Sequence, residues 1–238
     1  MDRLDNAAWH ALTGPHAGLA EVAGVARRYP PAMSFYAAVD GVDAGAWAAL
    51  ADLAGRDGPE GFVTLSRPTM PVPPAGWREV FRIDAHQMVL AGPPADDVPA
   101  PAPAIRPLGA ADVPAMLALT GLAQPGPFFA ETVRFGGYVG VEEGDRLVAM
   151  AGRRLRVDGA TEVSAVCVHP DAARRGLGRV VTGHVARAIQ AEGDEPFLHV
   201  SHGNDAARRL YERLGFTVRT TVTFASFAPP PTPRPAPG

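Results

Sequence analysis

A mixed α/β fold on a mostly antiparallel sheet follows from three observations on the sequence. Residues 163–168 and 197–200 are apolar runs of strand length, too short for helices. Asp158-Gly159 and Glu143-Gly144-Asp145 are turn signals set between such runs, so neighbouring strands return as hairpins. Residues 161–216 then read strand, glycine turn, amphipathic helix, strand and helix, which places helices against the sheet.

The elements follow in order. Asn6 is placed to cap a short helix through Trp9 and Leu12, which Gly14-Pro15 ends. Residues 16–26 carry Leu19, Val22 and Val25 at helical spacing, and Tyr29-Pro30-Pro31 stops that run. Residues 35–39 read as a strand, with Asp40-Gly41 as a turn. Asp43 caps a helix with Trp47, Leu50 and Leu53 on one face. Residues 61–66 and 77–90 are strand-like, separated by a loop holding Pro68, Pro71, Pro73 and Pro74. Proline fixes φ and removes a donor, so GPPADDVPAPAP at 92–103 reads as a linker.

After it, Ile105 opens a short strand, and residues 112–122 form a helix with Val113, Met116, Leu117 and Leu119 apolar. Two hairpins lead into residues 161–216, and residues 217–227 form a last strand. The expected domains are an N-terminal α/β domain at 1–91, the linker, a second domain at 104–228, and a proline-rich disordered tail at 229–238.

Composition narrows the function. The net charge of −3 argues against a nucleic-acid binder that relies on bulk positive charge. Cys167 is the one cysteine, which leaves no intrachain disulfide and no cysteine cluster for a metal. His169, His184, His199 and His202 show no metal-ligand spacing on a shared element, so no metal is expected. The first residues lack a signal-peptide pattern and no apolar run is long enough to span a membrane, so a cytoplasmic setting is expected.

The chemistry gathers in residues 161–216. Glycines in Arg174-Arg175-Gly176-Leu177-Gly178 let backbone approach a ligand, and the following helix offers unpaired N–H groups and its positive dipole end. Such a turn suits a phosphate or pyrophosphate. A plain strand-to-helix connection with solvated arginines is the competing reading. The P-loop pattern fails because Arg179 follows Gly178, and the dinucleotide fingerprint fails because position 181 is Val.

Taken with Val166-Cys167-Val168-His169-Pro170 and the run from Asn204 through Ala207, Leu210 and Tyr211 to Gly215-Phe216, the turn resembles the GCN5-related N-acetyltransferases, the GNAT superfamily, and its FR47-like subgroup. The resemblance covers about residues 105–227. It implies a mixed, mostly antiparallel sheet flanked by helices, and leaves the N-terminal domain readable as a degenerate copy. One departure stands out: Ala173 occupies a position where the family usually has Arg or Gln, with Arg174 beside it where glycine is common.

The resemblance also implies roles. Val166, Cys167 and Val168 would carry the strand that pairs with the pantetheine arm of acetyl-CoA. Arg174, Arg175, Gly176, Leu177, Gly178 and Arg179 would hold its pyrophosphate, and Asn204 and Ala207 would flank its arm. Tyr211 would protonate the departing thiolate, and Glu162 would take the proton of the acceptor amine. Against these stand plainer readings. Tyr211 lies on an apolar stripe with Ala207, Leu210 and Leu214, Glu162 sits at a strand mouth, and Cys167 lies mid-strand as a small hydrophobe. Phe128 and Phe129 line an acceptor pocket or belong to the core.

The activity implied is transfer of an acetyl group to a primary amine of a small molecule or amino acid. No nucleic acid or membrane partner is expected, and a homodimer stays open. The alternatives are a protein lysine or N-terminal acetyltransferase and a non-catalytic acyl-CoA-binding module.

Overall fold

The structure, a computed structural model, describes residues 2–95 and 103–231. The chain divides into two compact units. One comprises the residues up to Pro30, Phe35–Asp84 and those from Val222 on; the other comprises Pro31–Ser34 and Ala85–Thr221. The sequence places its boundary in the proline-rich segment instead. Backbone pairing accounts for the difference: residues 85–89 are hydrogen-bonded to a strand of the second unit, and residues 223–227 to a strand of the first. Composition carries no record of which neighbour a strand will pair with. Most of the linker and tail lie outside the described residues.

The first unit holds α1 (Ala7–Thr13), β1 (Glu21–Ala23), β2 (Ala26–Arg28), β3 (Ala37–Ala38), α2 (Ala44–Gly55) and β4 (Val63–Arg67). Asp43 caps α2 by accepting from the Ala46 N–H at 2.8 Å. Trp47, Leu50 and Leu53 then pack with Val63, Leu65 and Phe227. Two local expectations change. Asn6 makes no cap; its amide donates to the Val39 carbonyl, which ties α1 to the chain after β3. The helix expected over residues 16–26 is a 3₁₀ turn followed by the β1–β2 hairpin. Gly24 at φ 49° permits that turn, and Val22 and Val25 point to solvent, so their helical spacing marked no buried face.

The second unit takes the later half of β5 (Arg78–Val89), then β6 (Arg106–Pro107), α3 (Val113–Ala123), β7 (Val139–Glu143), β8 (Arg146–Val157), β9 (Ala160–Val168), α4 (Leu177–Ala191), β10 (Glu195–Ser201), α5 (Asp205–Leu214) and the first half of β11 (Thr217–Ala228). Its strands lie in the order β11–β5–β10–β9–β8–β7–β6. β7, β8 and β9 pair antiparallel through the two expected turns, while β9 and β10 run parallel with α4 between them in the chain. This is the mixed, antiparallel-dominated sheet that the sequence predicts.

Two faces of that sheet are chemically distinct. One packs Leu177, Val181, Val185 and Ile189 of α4, and Tyr211 and Leu214 of α5, on Val163, Leu198 and Val200. The spacing of four places the α4 residues on one stripe. The other packs Met116 and Leu119 of α3 on Tyr138, Met150 and Cys167. Among the described residues, no helix is long and apolar enough to cross a membrane.

Candidate active site

The site is built where β9 parts from β10. The two strands pair at Ala160↔Glu195, Thr161↔Pro196 and Phe197↔Glu162, and the register ends there. Beyond it β10 pairs with β5 on its other side, and β9 with β8. Ala165 takes a left-handed φ of 52°, and the β8–β9 register shifts between Met150 and Gly152. A bulge of this kind bends and re-aims a strand. It carries Val166 and Val168 onto the α4 face, while Cys167 turns to the α3 face. Among the described residues, no strand pairs with the backbone of residues 166–168 on the β10 side, so an extended ligand arm can pair there.

The chain then turns through a 3₁₀ segment into α4. Gly176 precedes the helix at φ 79°, a conformation that glycine adopts without a Cβ penalty. A helix start leaves backbone N–H groups without carbonyl partners in the helix, which suits an anion at the start of α4. Gly178 does different work. An added Cβ would lie 2.9 Å from a Leu210 methyl and 3.6 Å from Val168, so this glycine lets α5 and β9 approach α4. Arg174 sits at φ 62°, which costs a non-glycine residue about 1–2 kcal/mol. Arg174→Gly is therefore expected to stabilise the chain by about 0.5–1 kcal/mol in urea denaturation, after the added freedom of the unfolded glycine is offset. Arg175 pairs with Glu143 at 2.5 Å on the surface, and its guanidinium hydrogen bond holds that carboxyl below its ordinary value.

Asn204 caps α5, its side-chain oxygen accepting from the Ala207 N–H at 3.0 Å. Gly215 at φ 101° ends that helix. Between them Tyr211 is almost fully buried, its ring edge-on to Phe216 at 6.1 Å. Burial first, and then the neighbouring Cys167, raise the Tyr211 phenol well above its ordinary value, so it stays protonated through the neutral range. Val166, Val168, Ala207 and Leu210 pack against the same apolar cluster. Tyr211 thus lies on the apolar stripe of α5 with Leu214, which is buried, and Leu210, which is half-buried. Cys167 is buried and its thiol is pushed up to about 12, which leaves little thiolate for nucleophilic chemistry.

Phe128 lies edge-on to Tyr138 at 5.7 Å and packs against the α3-side core, while the Phe129 N–H donates to Thr132 Oγ1. Gly152 makes room for the Tyr138 ring, since a Cβ there would come within 2.2 Å of it. The loop after α3 is anchored by Pro31–Ser34: Glu131 N–H donates to the Ala32 carbonyl, and Thr132 Oγ1 to the Met33 carbonyl.

Glu162 differs most from expectation. It is fully buried. Arg154 grips it with two hydrogen bonds, 2.9 and 2.5 Å, His199 Nδ1 lies 2.7 Å from Oε1, and the Leu155 N–H donates at 3.3 Å. Burial alone would raise its carboxyl, but the Arg154 charge and the Arg154 and His199 hydrogen bonds outweigh it, and the group lies well below the usual carboxylate range. A carboxylate has about four acceptor positions, and here four contacts fill them. Glu162 is thus held with its acceptor positions filled and its carboxyl depressed, unlike the open proton acceptor that the resemblance implies.

His199, Gln87, Arg154 and Arg219 complete this cluster, and the sequence reading assigned none of them a catalytic part. The available signal was a single polar residue set between apolar residues on one face of a strand, as at the fully buried Gln87 between Ala85 and Val89. Among the described residues, no group of three or more His, Cys, Asp or Glu is arranged to hold a metal ion.

The chain is similar to known proteins in sequence and fold. The model of the FR47-like protein family matches residues 138–225, from the start of β7 into β11. A solved structure of a GNAT-family protein from Novosphingobium aromaticivorans is 37% identical, covers 96% of this chain and 99% of its own, and superposes with a TM-score of 0.86. The chain belongs to the GNAT family. As a GNAT protein it also matches two curated acetyltransferase relatives over part of their length. The ribosomal protein bS18 alanine N-acetyltransferase of Salmonella typhimurium is 39% identical over 77 residues, 32% of this chain and 51% of that enzyme. The mycothiol acetyltransferase of Thermomonospora curvata is 37% identical over 91 residues, 38% of this chain and 30% of that enzyme. The chain thus spans about half of the first and under a third of the second.

Proposed function

We propose that this GNAT chain is an acetyl-CoA-dependent N-acetyltransferase that acts by direct attack of a bound primary amine, with a small molecule or amino acid as acceptor. The observation that carries the reading is the parting of β9 from β10 beside a glycine turn, with the protonated Tyr211 phenol on the same face. The residues fit the acyl donor. Backbone of Val166 and Val168 would take the pantetheine arm, the amides from Arg174 to Arg179 its pyrophosphate, and the start of α5 would flank the arm. Tyr211 would give its proton to the leaving thiolate, which lowers the cost of expelling it from a thioester. Phe128 and Tyr138 would form an aromatic wall for the acceptor.

A second reading is acetylation of a protein N-terminus, favoured by the match to the bS18 alanine enzyme over 77 residues. Turnover measured on a panel of amines and amino acids beside short peptides separates the two. Acetylation of small amines with peptides inert supports the first, the reverse pattern supports the second, and acetyl-CoA binding without turnover of any amine makes the chain a binding module.

A further inference from the structure

Five side chains, one from each of five neighbouring strands, form a continuous hydrogen-bonded row on the sheet of the second unit. Arg219 of β11 donates to Gln87 Oε1 of β5 at 2.6 Å. Gln87 Nε2 lies 3.1 Å from His199 Nε2 of β10, His199 Nδ1 lies 2.7 Å from Glu162 Oε1 of β9, and Arg154 of β8 grips Glu162. The row crosses the sheet where β9 and β10 stop pairing, since Glu162 stands in the last pair and His199 two residues beyond it.

The direction of every bond in this row is determined. Arginine only donates, so Gln87 must turn its oxygen to Arg219 and its NH₂ to His199. His199 Nε2 must then accept, which leaves the imidazole proton on Nδ1, where it donates to Glu162. Arg154 at the far end keeps Glu162 ionised and able to accept it. Arg219 and Arg154 thus act from opposite ends to fix one neutral tautomer of His199. The Phe197 ring also lies against His199, edge-on at 5.8 Å.

We propose that His199 is the proton acceptor for the incoming amine, with Glu162, Gln87 and Arg219 as positioning residues that fix its tautomer. The inference rests on the transferase reading above. Glu162 has its acceptor positions filled, whereas His199 Nε2 holds a lone pair against an N–H donor. An acceptor ammonium is also an N–H donor and takes the place of the Gln87 amide. The ammonium N–H bond breaks and its proton moves to Nε2. The freed amine pair forms the bond to the thioester carbon, and the C–S bond breaks as Tyr211 gives its proton to sulfur. The second proton of the new amide nitrogen restores the phenol, by way of solvent. His199 releases the first proton to solvent, which matches the one proton liberated overall. Glu162 stabilises the imidazolium meanwhile, which is the work a carboxylate does behind a histidine base.

The test uses the full chain in three measurements. Wild-type ¹⁵N-histidine spectra, with the His199 signals assigned by their loss in His199→Gln, are expected to show the Nδ1–H tautomer. His199→Gln keeps a hydrogen-bonding side chain and is expected to lower kcat/KM for the amine about 10²–10⁴-fold, with acetyl-CoA affinity unchanged and the rise of rate with pH altered. Arg219→Met, which removes the group that orients Gln87 while Glu162 still holds Nδ1–H, is expected to let the Gln87 amide turn, to lower kcat about tenfold and to alter the rise of rate with pH. An Nε2–H tautomer in the wild type overturns the proposal, as does a His199→Gln variant with wild-type turnover and pH profile. Should His199→Gln not fold, Arg219→Met decides, because unchanged kcat and an unchanged pH profile in that variant overturn it as well. A wild-type chain that acetylates no amine overturns the transferase reading and the base with it. Wild-type turnover that survives in His199→Gln overturns the base alone.

Discussion

Tyr211→Phe is expected to lower kcat about a hundred- to ten-thousand-fold, with little change in acetyl-CoA affinity or in stability. The phenol is buried beside Cys167, raised well above its ordinary value, and so arrives protonated at the step that needs a proton. Phenylalanine keeps the ring that packs edge-on to Phe216 and fills the cluster with Leu214 and Val181, so the fold should survive the change. Steady-state kinetics with a fixed amine, beside acetyl-CoA titration by calorimetry, check it. Turnover within about threefold of the wild type would leave Tyr211 as packing only.

Glu162→Leu is expected to lose about 3–5 kcal/mol of folding stability, the cost of stranding a buried charge partner. Leucine fills similar space but leaves the Arg154 guanidinium, the His199 Nδ1–H and the Leu155 N–H facing an apolar group. The double variant Arg154→Met/Glu162→Leu removes the stranded charge and should recover most of the loss, which urea denaturation of both variants measures. The same pair sets an acid limit. Glu162 ionises in the folded chain below its ordinary value of 4.5. The stabilisation is therefore complete above about pH 4.5 and is lost as pH falls through the depressed folded value. Glu162→Gln, which cannot ionise, should show less of this acid-induced loss; an identical acid slope in both would remove the ion pair from the account.

How much of this was legible in the sequence differs from element to element. The strand, glycine turn and helix at residues 160–191 were readable because each signal is local. Valines at strand spacing, Gly176 before an amphipathic run, and apolar residues four apart each fix their own segment. Tyr211 stood out by position in its motif, while periodicity alone made it a core residue, and the structure buries it in the core. The helix expected at residues 16–26 failed where Gly24 permitted a hairpin and tertiary pairing with β3 rewarded it. Asn6 was read as a cap because its type suits one, but a distant carbonyl at Val39 took its amide.

The sequence by itself determined the order of strands and helices over residues 139–214 and the place of the glycine turn between them. Those depend on φ preferences and on periodicity within one segment, which neighbours in the chain decide. Only the tertiary structure decided what Glu162 is. Arg154 lies eight residues away, His199 thirty-seven, and Gln87 and Arg219 lie on strands still farther off in the chain. Whether a carboxylate carries a proton or stays an anion depends on the charges and donors within a few ångströms of it, and sheet pairing, which no local pattern records, sets those neighbours.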